Sequence, residues 1–344
     1  MIRFECDYAE GAHPLILQKL CDTNMEQTPG YGVDIHCETA RKHIRDACLS
    51  PDADIHFLVG GTQTNATVIS SILRPHQGVI CASTGHINVH ESGAIEASGH
   101  KVLSLPGEDG KITAQQIEDL ILGHFHDENF EHMVQPGMVY LSWPTENGTI
   151  YSKNELLAIN SVCRRCRIPL YIDGARMGYG LMSDSCDLTL PDFATLADIF
   201  YIGGTKVGAM FGEAVVITDP DLKTDFRYLI KQNGGMLAKG RLLGIQFETL
   251  FEDGLYCRIA RHAVTQAMRI RQAFQHKGIP LLYDSYTNQQ YPILNQIQID
   301  QLSRRYSFCF WERVDEKRSA VRFCTSWATS ETDVDQLLSD IGHL

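Results

Sequence analysis

The sequence predicts an α/β fold: a mostly parallel sheet flanked by helices, with a smaller C-terminal α+β unit. Three observations carry this. Short apolar runs alternate with capped, helix-like stretches from residue 55 to residue 217. Strands separated by helices require right-handed crossovers and hence parallel pairing. Beyond about residue 250 the texture changes to one long helical stretch, two strand-like runs and a closing helix. Finally, 344 residues with 44% apolar and 21% charged content suffice for a large domain and a companion without disulfide staples.

Taken in order, residues 55–59 form an apolar run that stops at Gly60-Gly61. A helix over 65–73 ends before Pro75. Residues 78–82 are a second strand, 91–98 a second helix and 101–105 a third strand. Thr113 with Gln116 caps a helix running to about Leu122, and the polar stretch 123–136 reads as a surface loop. Residues 138–142 are a strand. Ser152 and Glu155 make a capping box for a helix to about Cys166, and strands follow at 169–172, 199–202 and 213–217. After these come a long helix over 256–277, paired strands at 305–311 and 320–325, and a helix over 329–341 capped by Ser330 or Thr332. The expected division is an N-terminal arm and large domain over 1–248, and a small domain over 249–344.

Net charge is −12, and the densest basic spots are the pairs Arg164-Arg165 and Arg304-Arg305. Neither makes a nucleic-acid or anionic-membrane surface. No apolar run is long enough to span a membrane. The first residues lack a basic-then-apolar signal pattern, and the 11 cysteines lack small-domain disulfide spacing, so a reducing cytoplasm is expected.

Three segments could face a ligand. Gly60-Gly61-Thr62-Gln63-Thr64-Asn65 lies between a strand and a helix, where glycines admit a ligand and the first helical amides point at an anion. Asp173 follows a strand, at the sheet edge where α/β proteins place ligands. Lys206, in Gly203-Gly204-Thr205-Lys206-Val207-Gly208, has small and apolar neighbours, which desolvate an amine and make it a usable nucleophile. Alone, each also suits a plain role: a turn, a helix cap, a surface lysine. Together they match the needs of pyridoxal 5'-phosphate (PLP): a cup for the phosphate, an acid for the pyridinium, an amine for the aldehyde. His86 could stack on the ring and exchange protons. With His90 and Glu91 it could also suggest a metal, but no third ligand has matching spacing, and no metal is expected. Cys163-Arg164-Arg165-Cys166 sits at a helix C-terminus and reads as core cysteines rather than a redox motif.

The chain resembles the threonine aldolase branch of the PLP-dependent β-eliminating lyases. The most specific piece is Ile172-Asp173-Gly174-Ala175-Arg176 followed by Thr205-Lys206. Gly30-Tyr31-Gly32-Val33-Asp34, Gly60 to Asn65, Gly85-His86-Ile87, Glu91-Ser92-Gly93-Ala94 and Gly234-Gly235-Met236 fall in the family's order. The resemblance implies the aspartate-aminotransferase-type fold, with the site shared between subunits of a homodimer or homotetramer. It implies that Lys206 bonds the cofactor, Asp173 meets its ring nitrogen and His86 stacks on it. Gly61, Thr62 and Gln63 would take the phosphate. Arg176, beside the cofactor, and Arg322 would clamp the substrate carboxylate, with Cys6 and Tyr31 near the substrate and Lys239 or Arg241 reaching the partner's phosphate.

The sequence departs from the family pattern in three places. Cys6 precedes Asp7 and Thr205 precedes Lys206 where the family usually has serine. The loop Trp143-Pro144-Thr145-Glu146-Asn147 lacks the histidine often found there. The expected activity is cleavage of a β-hydroxy-α-amino acid, of the threonine, allo-threonine or phenylserine type, to glycine and an aldehyde. His86 is the expected base for the β-hydroxyl, directly or through water, with Glu146 able to share the task. The rival expectations are β-elimination or racemisation of another amino acid, and a non-catalytic PLP-binding protein.

Overall fold

The computed structural model describes all 344 residues. A two-residue strand β1 (Ile2–Arg3) opens the chain. The central sheet comprises β2 (Asp54–Leu58), β3 (Gln77–Ala82), β4 (Lys101–Leu105), β5 (Gln135–Ser142), β6 (Leu170–Asp173), β7 (Ile199–Gly203) and β8 (Glu213–Ile217). Their spatial order is β2-β8-β7-β6-β5-β3-β4, and β8 alone runs against the rest. The carboxyl ends of β3, β5, β6 and β7 therefore share one edge.

Side chains alternate between two cores. Val139, Leu141, Leu170, Ile172, Phe200 and Ile202 face one side, while Tyr140, Tyr171 and Tyr201 form a row on the other. Both faces are covered, which is why these strands read as unbroken apolar runs.

The C-terminal part contains β9 (Gln289–Gln290), β10 (Ile293–Asn295), β11 (Tyr306–Ser307), β12 (Cys309–Arg313) and β13 (Arg318–Cys324). β12 and β13 are antiparallel, as are β10 and β13. β1 pairs with β11, so the first residues pack here: Phe4 shares a core with Phe274, Tyr306, Phe323 and Leu337. The helix Leu255–His276 joins the two parts. Its first half contributes Tyr256, Ile259, Ala260 and Ala263 to the larger core, and its second half contributes Ile270 and Phe274 to the smaller.

Some boundaries differ from the sequence reading, for local reasons. The helix after β2 begins at Gly61, not Asn65, so the glycine-threonine segment is itself its first turn. The stretch 91–98 is broken: His86–Val89 and Ala94–Ala97 are separate short helices, with Ser92 and Gly93 left-handed between them at φ 52° and 75°. The helix from Ala114 runs on to His126, because buried His124 continues the stripe of Ile117 and Ile121. Hence the expected loop 123–136 is trimmed at both ends. The expected strand 305–311 is two strands, Tyr306–Ser307 on β1 and Cys309–Arg313 on β13, since the arm takes the first pairing edge.

Candidate active site

Asp173 is the last residue of β6. Gly174 follows because a Cβ there would lie 2.0 Å from the Tyr201 carbonyl oxygen, so only glycine lets the chain turn against β7. The Asp173 carboxylate is buried and fully engaged. Oδ2 accepts from the Tyr140 hydroxyl at 2.6 Å and from Asn65 at 3.0 Å, and Oδ1 accepts from the Ala175 amide at 3.0 Å. Burial opposes its charge, but the positive field of His86 and the Tyr140 hydrogen bond outweigh it and hold the carboxyl below its ordinary range. Asn65, fixed by the Tyr171 hydroxyl at 2.7 Å, also donates to Glu91 at 2.7 Å. Glu91 in turn holds His86 Nδ1 at 2.7 Å. One chain of contacts thus runs from the sheet end to His86, built on a tyrosine row that sequence reasoning missed. Tyr140 and Tyr171 are register partners, and Tyr201 lies on the same face two residues further along its strand, an alignment that only the sheet order reveals.

Lys206 lies in the loop between β7 and β8. That loop folds back through the Gly204 and Thr205 amides onto the Gly212 carbonyl, at 3.0 and 3.1 Å. Burial and Arg176 lower the affinity of its amine for a proton. Beneath it, Glu213 of β8 accepts from the Thr205 hydroxyl at 2.7 Å and the Gly204 amide at 3.2 Å, and burial pushes its carboxyl up to about 8.

Lys206, His86, Arg176 and Arg322 line one cavity of about 640 Å³, together with His90, Glu146 and, on the small-unit side, Tyr283 and Trp311. Arg176 is gripped at two points by buried Asp7, at 2.7 and 3.0 Å. Burial opposes the Asp7 charge, but Arg176 and Lys206 prevail and hold it down to about 2. Arg322, on β13, donates to Gln289 at 3.2 Å and to the Glu5 carbonyl at 2.9 Å, and lies 5.5 Å from the Trp311 ring centre. Its Nε is buried without a partner. The arm therefore anchors both arginines, one through Glu5 and the other through Asp7. Sequence reasoning noticed Asp7 only as the neighbour of Cys6.

Other expected residues lie elsewhere. Gly61, Thr62 and Gln63 form the first turn of their helix, where amides have no carbonyl one turn back; Thr64 is the first to bond, to Gly60 at 3.0 Å. The Gln63 side chain is taken up bridging the Val59 amide and the Asn233 carbonyl, both at 3.0 Å. Cys6 is half-buried between the two anchoring residues and does not line the cavity. Tyr31 is half-exposed, left-handed at φ 62°, and lies 4.9 Å beneath Lys231, away from the Lys206 cavity. Arg241 is bound to the carbonyls of Asn24 and Glu26, whereas Lys239 is exposed. Cys163 is buried and Cys166 half-buried, as core residues should be, and no metal-binding cluster is present.

Residues 14–298 match the beta-eliminating lyase family. The chain belongs to that family. A solved structure of Leishmania major threonine aldolase is 42% identical and superposes with a TM-score of 0.97, covering 100% of this chain and 99% of its own. The low specificity L-threonine aldolase of a Pseudomonas species is 29% identical over 342 residues, 98% of this chain and 96% of the relative. Histidinol-phosphate aminotransferase from Clostridium acetobutylicum, at 12% identity and a TM-score of 0.74 over 100% of this chain and 98% of its own, shares the fold. As a β-eliminating lyase family member, the chain is a PLP-dependent enzyme. The residues fit that cofactor. A buried amine of lowered basicity, a buried carboxylate held ionised and a helix N-terminus with open amides are the groups its aldehyde, ring nitrogen and phosphate require.

Proposed function

We propose that this enzyme is an aldolase that cleaves a β-hydroxy-α-amino acid, of the threonine, allo-threonine or phenylserine type, to glycine and an aldehyde. One observation carries the reading: two arginines and the Lys206 amine line a single cavity, an arrangement that selects a carboxylate beside an amine. The names of the relatives add support.

In this reading the Lys206 amine would bond the cofactor, and the amides of Gly61, Thr62 and Gln63 would hold its phosphate. Asp173, its charge secured by Tyr140 and Asn65, would meet the ring nitrogen. Bound there, PLP supplies an electron sink for the pair released when Cα–Cβ breaks. Arg322 turns its unpartnered Nε to the substrate carboxylate, and Arg176, its other edge fixed by Asp7, adds a second contact. The His86 ring would lie against the cofactor. Because Glu91 engages Nδ1, Nε2 is the ring atom free to meet a ligand.

We further propose a cytoplasmic homodimer or homotetramer, with Tyr31 and Lys239 reaching a neighbouring subunit's site. Their exposure, and the free state of all 11 cysteines, support this. The purified enzyme with PLP should release glycine and the matching aldehyde from L-threonine, L-allo-threonine or phenylserine. Ammonia and pyruvate from serine or cysteine, with no glycine from those three, would replace the aldolase by an eliminating lyase.

A further inference from the structure

Glu146 occupies the loop after β5, beside the sheet edge that carries Asp173, and lines the cavity with Lys206 and His86. Its two carboxylate oxygens are treated differently. Oε1 accepts from the Ser142 hydroxyl at 2.5 Å and from the His86 amide at 3.0 Å. Oε2 is buried and has no partner. The loop itself is pinned, because the Glu146 carbonyl accepts from the Tyr291 hydroxyl at 2.5 Å and lies 3.5 Å from the Gln289 amide nitrogen. The carboxyl is therefore held in place by one oxygen while the other is bare.

Asp34 and Glu91 also leave one buried carboxylate oxygen unpartnered, but neither lines the Lys206 cavity; Glu146 does. A buried oxygen left unpaired disfavours the folded state unless a ligand completes it. No arginine or lysine is among the largest influences on Glu146. Burial is the main influence and raises its pKa, with Asp173 repelling and His86 attracting. That moves the group toward the pH at which it can both accept and return a proton.

We infer that Glu146 is a catalytic residue whose Oε2 takes the proton of the substrate's β-hydroxyl during cleavage. The inference rests on the aldolase reading. The O–H bond breaks and its proton passes to Oε2. The oxygen's electron pair forms the C=O of the departing aldehyde, and the Cα–Cβ pair moves to Cα. A proton from water then completes glycine at Cα, and Glu146 returns its proton to water, so atoms and charge balance. His86 acts here as a positioning neighbour, because its backbone amide fixes Oε1.

The test is Glu146→Gln in the holoenzyme. Glutamine keeps the size and can accept from Ser142 and His86, but carries no base. Cleavage of threonine or phenylserine should fall about 100-fold or more in kcat, the scale of a lost general base, with KM within about threefold. Exchange of the α-proton of glycine with deuterated water needs no β-hydroxyl base and should stay within about threefold of wild type. It also reports that the variant is folded and loaded. Cleavage retained within threefold would overturn the inference, as would cleavage and exchange falling together. A wild-type enzyme that exchanges glycine but cleaves none of the three β-hydroxy substrates would instead overturn the aldolase reading itself.

Discussion

The two walls of the Lys206 cavity differ in how completely their polar groups are satisfied. On the sheet side, Asp173, Asn65, Tyr140 and Tyr171 bond one another in a connected chain that runs through Glu91 to His86 and leaves Glu91 Oε2 over. Opposite lies Arg322, with Nε bare, while bare Glu146 Oε2 sits in the loop between. A connected network around a fully bonded Asp173 is rigid in the absence of ligand and presents a fixed charge. Bare groups await a partner. The comparison implies that the sheet side serves the cofactor's electronics and the opposite wall the substrate's grip.

The largest effect that would break this division is at Lys206. Lys206→Ala should abolish the borohydride-reducible visible chromophore and lower turnover by about 10⁴-fold, roughly 5.5 kcal/mol of barrier. PLP should still associate through its phosphate. A reducible adduct retained at another lysine would move the attachment site. Next is Asp173→Asn, which keeps the size but removes the charge proposed to meet the ring nitrogen. Turnover should drop by about 10²–10³, roughly 3–4 kcal/mol, with little change in KM. Undiminished turnover would reduce Asp173 to a cap for the Ala175 amide.

These two residues were legible in the sequence because each follows a strand and sits among glycines demanded by close approach. Gly174 against Tyr201 and Gly203 against Ala175, where a Cβ would lie 2.3 Å from a carbonyl oxygen, leave a trace that composition alone would not. The parallel sheet was legible for the same local reason, since buried strands are unbroken apolar runs. Asp7 was not. Its partner Arg176 is 169 positions away, and nothing local marks an acid that meets an arginine only after the arm has folded across both units. The tyrosine row and Glu213 were likewise hidden, because a tyrosine within a strand or a glutamate at its start is ordinary until the sheet order aligns them. The left-handed break at Ser92 was missed because Ser92-Gly93 reads as a helix start, whereas Glu91 is drawn inward by His86 and Asn65.

Asp7 gives a smaller effect, in stability. Its folded pKa, about 2, lies below the ordinary 3.8, so the ionised form stabilises the fold. That contribution, about 2 kcal/mol, is present above pH 4 and is lost as pH falls through 2. Denaturant unfolding of wild type should therefore weaken between pH 4 and 2. Asp7→Asn should start lower, by about 3–5 kcal/mol for an uncompensated buried Arg176, and its added loss across that window should be smaller. Parallel acid profiles for the two proteins would show that the ion pair adds nothing to the fold.

The smallest effect sharpens the other wall. Arg322→Lys preserves the charge but loses the planar fork. In the present structure one edge of that fork is occupied by Gln289 and the Glu5 carbonyl, the face lies over Trp311, and Nε is unpaired. A lysine ammonium on a flexible stem could reach either the anchors or a substrate carboxylate, but could not hold the first while presenting a second donor to the other. KM should rise about tenfold, near 1.4 kcal/mol, with kcat changed less and the cofactor's absorption unchanged, because no atom of Arg322 takes part in the Asp173 network. The outcome that would dissolve the contrast between the walls is a shifted cofactor spectrum at normal KM. Arg322 would then serve the cofactor, and its bare Nε would mark the phosphate or the ring rather than the substrate.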